Sequence, residues 1–173
     1  MRILFTSAIA AALVFSAMSP AKARPEHERL AALAGTWSVK QFLWLDPAAK
    51  APDIDPGTSV ISPVLDDHHF RRTLKINSKQ PFEGVGYMGY DAATSQYYSS
   101  WMDVSFTGMI LSHGSYDAAA STYTFNTTTT SEKGETFPLR EVMKVADKNH
   151  FTYEYFETHG GKERLVVRLE YSR

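Results

Sequence analysis

A chain of 173 residues with 18 basic and 19 acidic side chains is close to electroneutral, which argues against nucleic acid or an anionic membrane as its partner. It contains no cysteine, so disulfides, thiolate nucleophiles and cysteine-ligated metals are excluded. Aromatic residues make up 13% of it, enough for one hydrophobic core in a single domain.

The chain opens with Arg2, an apolar stretch from Ile3 to about Ala17, and small residues ending in Ala21-Lys22-Ala23. That order predicts a signal peptide, residues 1–23, cleaved after Ala23, and hence a periplasmic or secreted protein. The apolar stretch falls short of the roughly 20 residues a bilayer-spanning helix needs and carries Thr6, Ser7 and Ser16, so no stable membrane anchor is expected after cleavage. Cleavage removes Arg2 and Lys22 and no acid; 18 basic residues become 16 against 19 acidic, a formal charge of −3. Residues 24–173 are expected to form one domain, without internal repeats.

Pro25 to Ala34 predicts a short helix: proline stands at the first turn, Glu26 and Glu28 suit the positive helix end, and Gly35 is the stop. After Gly35 the chain reads as ten strands: Thr36 to Leu45, Thr58 to Leu65, Phe70 to Ile76, Glu83 to Tyr90, Gln96 to Val104, Met109 to Tyr116, Thr122 to Thr130, Leu139 to Ala146, His150 to Phe156 and Arg164 to Tyr171. Turn formers such as Asn77-Ser78, Asp91 to Ser95, Asp117 to Ser121 and Gly160-Gly161 separate them. Asp46 to Pro56 is rich in proline, alanine and aspartate and predicts a surface loop over one mouth. A meander must pack two sheets or close on itself, and closure leaves no exposed edge. The expected fold is all-β, an antiparallel up-and-down closed barrel of ten strands with a short N-terminal helix.

Pro81 to Gly108 is the most distinctive segment, two aromatic-rich alternating runs joined by a turn. It contains Tyr90-Asp91, Trp101-Met102-Asp103 and Thr107-Gly108. With Arg140-Glu141-Val142 and the terminal Tyr171-Ser172-Arg173, it resembles the bacterial secreted family known as domain of unknown function 1579. The resemblance covers most of the mature chain, weakens from Ala48 to Asp66, and implies a lipocalin-like closed barrel. Gly35-Thr36-Trp37 looks like the Gly-x-Trp signature of lipocalin-type barrels, in which a basic residue of the last strand lies across the indole. Trp37 and Arg173 are the matching pair here, a structural closure by a cation–π contact. The resemblance supplies no catalytic residue and no cofactor.

Gly84 to Gly89 matches G-x-G-x-x-G, but a strand follows where a dinucleotide site needs a helix N-terminus. The glycines are read instead as places where the strand bends or a bulky neighbour crosses it. Tyr87, Tyr90, Trp101 and Asp103 of the hairpin are candidate ligand contacts; the bland reading has Asp91 and Asp103 bonding turn backbone. Alternation puts one residue of each adjacent charged pair inside, Arg71 or Arg72 and Arg140 or Glu141, so Arg72, Arg140 and Glu141 join the candidates. An inward arginine suits a carboxylate-bearing ligand such as a fatty acid. Asp66-Asp67-His68-His69 is rich in metal-ligating types, yet adjacent side chains on a strand diverge, and the other histidines lack ligand spacing. Neither a metal nor any other cofactor is expected.

These features lead first to an exported barrel that binds a small, mainly apolar ligand. An envelope module with a filled interior and an exposed apolar patch is the alternative. A small hydrolase or isomerase acting through an inward Asp103 or Glu141 is a further one.

Overall fold

The computed structural model describes residues 24–44, 46, 48, 50–131 and 134–173. The expected signal peptide, residues 1–23, lies outside them, as do positions 45, 47 and 49 of the expected loop and residues 132 and 133.

Alternation of apolar and polar side chains folds this sequence into strands. Helix α1 (Pro25–Ala31) precedes β1 (Gly35–Leu43), β2 (Asp53–Val64), β3 (His69–Ile76), β4 (Phe82–Asp91), β5 (Gln96–Asp103), β6 (Ile110–Asp117), β7 (Thr122–Thr130), β8 (Thr136–Asp147), β9 (His150–His159) and β10 (Lys162–Ser172). Each strand pairs antiparallel with its neighbour in sequence, and β10 pairs with β1 from Ser38↔Ser172 to Leu43↔Val167, which closes the barrel. The buried face of β1 carries Trp37, Val39 and Gln41; that of β3 carries Phe70, Arg72, Leu74 and Ile76.

Among the boundaries that differ from the sequence reading, two bear on the architecture. The helix ends at Ala31 rather than Ala34, and the last turn closes by short bonds from Leu33 to Leu30 and Ala34 to Ala31. Asp53-Ile54-Asp55-Pro56 is strand, not loop: it continues β2 along β1, with Pro56 opposite Lys40. Proline is tolerated because its missing N–H lies on the β3 side, where the ladder has already ended at Gly57↔Ile76. The Pro56 carbonyl, on the same side, accepts a bond from the Asn77 backbone N–H.

The two barrel ends differ. At one end the turns are short and α1 lies across the opening, with Leu30 and Leu33 buried. Trp37, Tyr97, Tyr123, Phe125, Phe151 and Tyr171 fill the interior there. Arg29 anchors the helix, donating to the Tyr97 hydroxyl at 3.1 Å with its guanidinium 5.0 Å from the Tyr116 ring centre. Arg173 completes this closure. Its guanidinium lies 4.1 Å over Trp37 and donates to the carbonyls of Ala34 at 2.7 Å, Ala32 at 3.2 Å and Lys148 at 2.7 Å. Gly35, at φ 137°, adopts a backbone setting that a side chain rarely takes, and the bare Cα leaves room for that guanidinium. The other end is the mouth, where residues 104–109 span the β5–β6 connection and other long connections lie alongside.

Candidate functional site

The interior at mid-height is polar. Arg72 of β3 is 1% exposed and points inward from a strand whose outward residues are Arg71 and Thr73. Its guanidinium lies 4.7 Å from the Trp101 ring centre and 4.3 Å from that of Tyr153, and Nη2 donates to the Tyr155 hydroxyl at 2.9 Å. Nε and Nη1 are buried and have no hydrogen-bond partner among the described residues. Among those residues no carboxylate forms an ion pair with it.

Burial works against the charge of Arg72, but the phenolic oxygens of Tyr155, Tyr171 and Tyr153 outweigh it and raise its proton affinity above the ordinary arginine value. The guanidinium is therefore a fixed cation.

Glu141 of β8 is the opposite case. It too is 1% exposed, yet both its oxygens are engaged: Oε1 accepts from Ser112 at 2.5 Å, and Oε2 accepts from Tyr153 at 2.5 Å and Ser99 at 3.2 Å. Three converging hydroxyls suit a carboxylate acceptor. Burial first, and then Glu141 itself, hold the Tyr153 hydroxyl well above the usual phenol range, and burial also raises Tyr155 and Tyr171. These phenols are neutral at physiological pH; Tyr153 donates to Glu141, while Tyr155 accepts from Arg72.

The network crosses the barrel. Arg72 on β3 reaches Tyr155 on β9, and Ser99 on β5 meets Tyr153 on β9 at 3.0 Å. The middle of the barrel is thus filled by its own side chains. Two concavities are prominent on the molecule, and neither is lined by Arg72 or Glu141. One, of about 720 Å³, lies between residues 104–111 and 127–131; the other, of about 360 Å³, lies against β1, β9 and β10.

The structure places the sequence candidates unequally. Arg72, Glu141 and Trp101 face the interior and form parts of one polar layer. Tyr90 is half-buried at the helix end, 5.0 Å from Tyr97. Tyr87 and Arg140 face outward, a correction to their grouping with the interior. On β4 the inward positions are Gly84, Gly86 and Met88, so Tyr87 falls on the opposite face. On β8 the inward partner of the charged pair is Glu141, and Arg140 makes a two-pronged bond to Glu163 at 2.8 and 2.7 Å over the Phe156 ring. Asp103 sits at the mouth. It accepts from Trp101 Nε1 at 2.8 Å, and from the Ser105 backbone N–H and hydroxyl at 2.8 and 2.5 Å. It therefore orients the indole while ending the strand, and Asp91 accepts from the Ala93 backbone in the same turn-forming way.

The glycine run has a packing explanation. A methyl group on Gly84 would overlap the six-membered ring of Trp101, and one on Gly86 would strike the Ser100 carbonyl and the same indole. The bare strand lets Trp101 lie flat toward Arg72. Among the described residues no group of three or more histidines and acids is placed to hold a metal ion.

Ser99, Ser112, Tyr153 and Tyr155 belong to the site but were not among the sequence candidates. Period two on β9 aligns Phe151, Tyr153 and Tyr155 on one face with the buried side of the strand, a signal that could have marked both tyrosines. Nothing local distinguishes the two serines; their role depends on Glu141, distant in sequence.

Fold and interior together define a class: a closed ten-stranded antiparallel barrel, helix-capped at one end, with a buried arginine and a buried glutamate held apart at its centre. Residues 22–173 match the family described as protein of unknown function DUF1579, and the chain belongs to that family. No match is found among curated proteins. Among solved structures the chain is similar to one described as a redesigned beta barrel, at 10% identity over 84% of this chain and 94% of that one, with a TM-score of 0.46.

Proposed function

We propose that this protein is an exported binding barrel for a small, mainly apolar molecule bearing an anionic group, which the guanidinium of Arg72 receives. The observation that carries the reading is a buried cation with two donor nitrogens unpartnered. Such a group costs several kcal/mol unless an acceptor reaches it. Glu141 does not serve, because its oxygens are taken up by Ser99, Ser112 and Tyr153. The same engagement weighs against a hydrolase or isomerase acting through Glu141.

The apolar part of such a ligand would face the mouth, where Phe82, Phe106, Ile110 and Val167 are only partly buried. Because side chains cross the barrel at mid-height, the reading favours a short or compact molecule over a long acyl chain. Export remains part of the proposal, resting on the leader-like residues 1–23. A second reading, a protein-binding envelope module, is favoured by the filled centre and by exposed Val60, Tyr87, Val104, Met109 and Leu111.

The test is titration with anilinonaphthalene sulfonate, an apolar anion, followed by displacement with octanoate. The wild-type barrel is expected to bind both, and Arg72→Met, which keeps volume and removes charge, to weaken both by roughly tenfold or more, as loss of a buried charge-assisted bond implies. Equal binding by the two proteins overturns the proposal.

A further inference from the structure

The seam between β6 and β7 is laddered at one end only. Pairing runs from Asp117↔Thr122 to His113↔Asn126 and stops. Yet β6 continues along β5 as far as Ile110, opposite Trp101, and β7 continues along β8 as far as Thr130, opposite Thr136. Each strand therefore presents a stretch of edge that its partner does not cover.

Between the two edges lies the concavity of about 720 Å³, with Val104 to Leu111 on one wall and Thr127 to Ser131 on the other. Among the described residues one side-chain bond ties the walls where a ladder would run: the Thr127 hydroxyl donates to the Leu111 carbonyl at 2.8 Å. The residues between this opening and the interior are Phe106 and Ile110, partly buried and packed on the core. Immediately past Ile110 on the inward face of β6 comes Ser112, already bonded to Glu141 of the polar layer. At the opposite end α1 lies across the opening, with its own Leu30 and the following Leu33 buried.

We infer that the split between β6 and β7 is the route by which a small apolar anion reaches Arg72, with Phe106 and Ile110 as the gate and the Thr127–Leu111 bond as its latch. The inference rests on the binding reading above. Physically, parting the strands here breaks one side-chain bond, whereas parting a laddered seam breaks several backbone bonds, each of about 1 kcal/mol.

The absence of native cysteine allows a direct test. Continuing the register places Leu111 opposite Thr128, both exposed on the outer face. In the Leu111→Cys/Thr128→Cys variant, a short bis-maleimide would tie the walls without entering the barrel. Stopped-flow fluorescence with anilinonaphthalene sulfonate is expected to show association and dissociation slowed by roughly tenfold or more in the crosslinked protein, with Kd unchanged, because a gate alters rates and not equilibrium. Thr127→Val, which lacks the latch hydroxyl, is expected to speed both rates. The same crosslink on Ser38→Cys/Ser172→Cys, a paired and exposed position of the β1–β10 seam, should leave them unaltered. Unchanged rates in the crosslinked gap variant, with binding intact, overturn the route alone. Failure of the wild type to bind, or equal binding by Arg72→Met, overturns the binding reading and the route together.

Discussion

The helix-capped end and the mouth of this barrel are built from the same strands, yet they solve opposite problems. At the capped end, aromatic rings meet edge to face, as Trp37 and Phe151 do at 4.7 Å, or stack, as Phe151 and Tyr171 do at 4.0 Å. Short turns and α1 leave almost none of this surface to solvent. At the mouth, one seam is unladdered and Val104 and Met109 stand 68% and 58% exposed. On this contrast, stability is expected to be concentrated where the strands are tied by turns and helix, and to be lower at the mouth. The polar layer of Arg72 and Glu141 divides the two regions.

This contrast can be broken by measuring where substitutions cost stability. Trp37→Ala at the capped end removes a side chain 1% exposed whose Nε1 also donates to the Leu33 carbonyl at 2.9 Å. A loss of about 3–5 kcal/mol is expected, a fall in Tm of roughly 10 °C by calorimetry. Gly84→Val probes how far rigidity extends toward the mouth, since its side chain would collide with the Trp101 ring. Overpacking there should cost about 1–3 kcal/mol by chemical denaturation and shift the indole fluorescence.

Arg173→Ala is expected to cost about 1–2 kcal/mol, through loss of the cation–π contact and of bonds to the Ala32, Ala34 and Lys148 carbonyls. Met109→Ser should lie within about 0.5 kcal/mol of wild type, as an exposed mouth position allows. A large loss there would show that the mouth is as integral to the fold as the capped end.

The smallest expected effect is a pH dependence at the cap. His27 of α1 lies 5.8 Å from His68 and 6.2 Å from Tyr90, ring centre to ring centre. Burial first, and then His68, hold its pKa below the ordinary 6.5, with Arg24 and His69 adding to this and Glu26 opposing it. The unfolded chain therefore binds the proton more readily than the folded one. Stability is complete above 6.5 and declines as pH falls from there toward the lowered folded value. His27→Gln should flatten that decline in a series of Tm measurements from pH 7.5 to 5; an identical slope in the variant would remove His27 from the cap's energetics.

Local pattern and tertiary arrangement divided the determination of this protein along a physical line. Alternation, turn residues and the Gly-x-Trp opening were legible in the residues themselves, because strand periodicity and turn preference are properties of a few neighbouring side chains. They specify ten strands, their approximate limits and the likeness that points to closure. Pro56 escaped this reading because its tolerance depends on where β3 ends, a fact of pairing and not of the neighbouring sequence. The choice between Arg71 and Arg72, or Arg140 and Glu141, was equally beyond local pattern: alternation says that one of each pair turns inward but not which. Only closure of the barrel assigned Arg72 and Glu141 to one interior, gathered Ser99, Ser112 and Tyr153 around the acid, and left the guanidinium without an acidic partner among the described residues. Side chains far apart along the chain, such as Ser99 and Glu141, acquire a relation only when strand pairing brings them within hydrogen-bond reach.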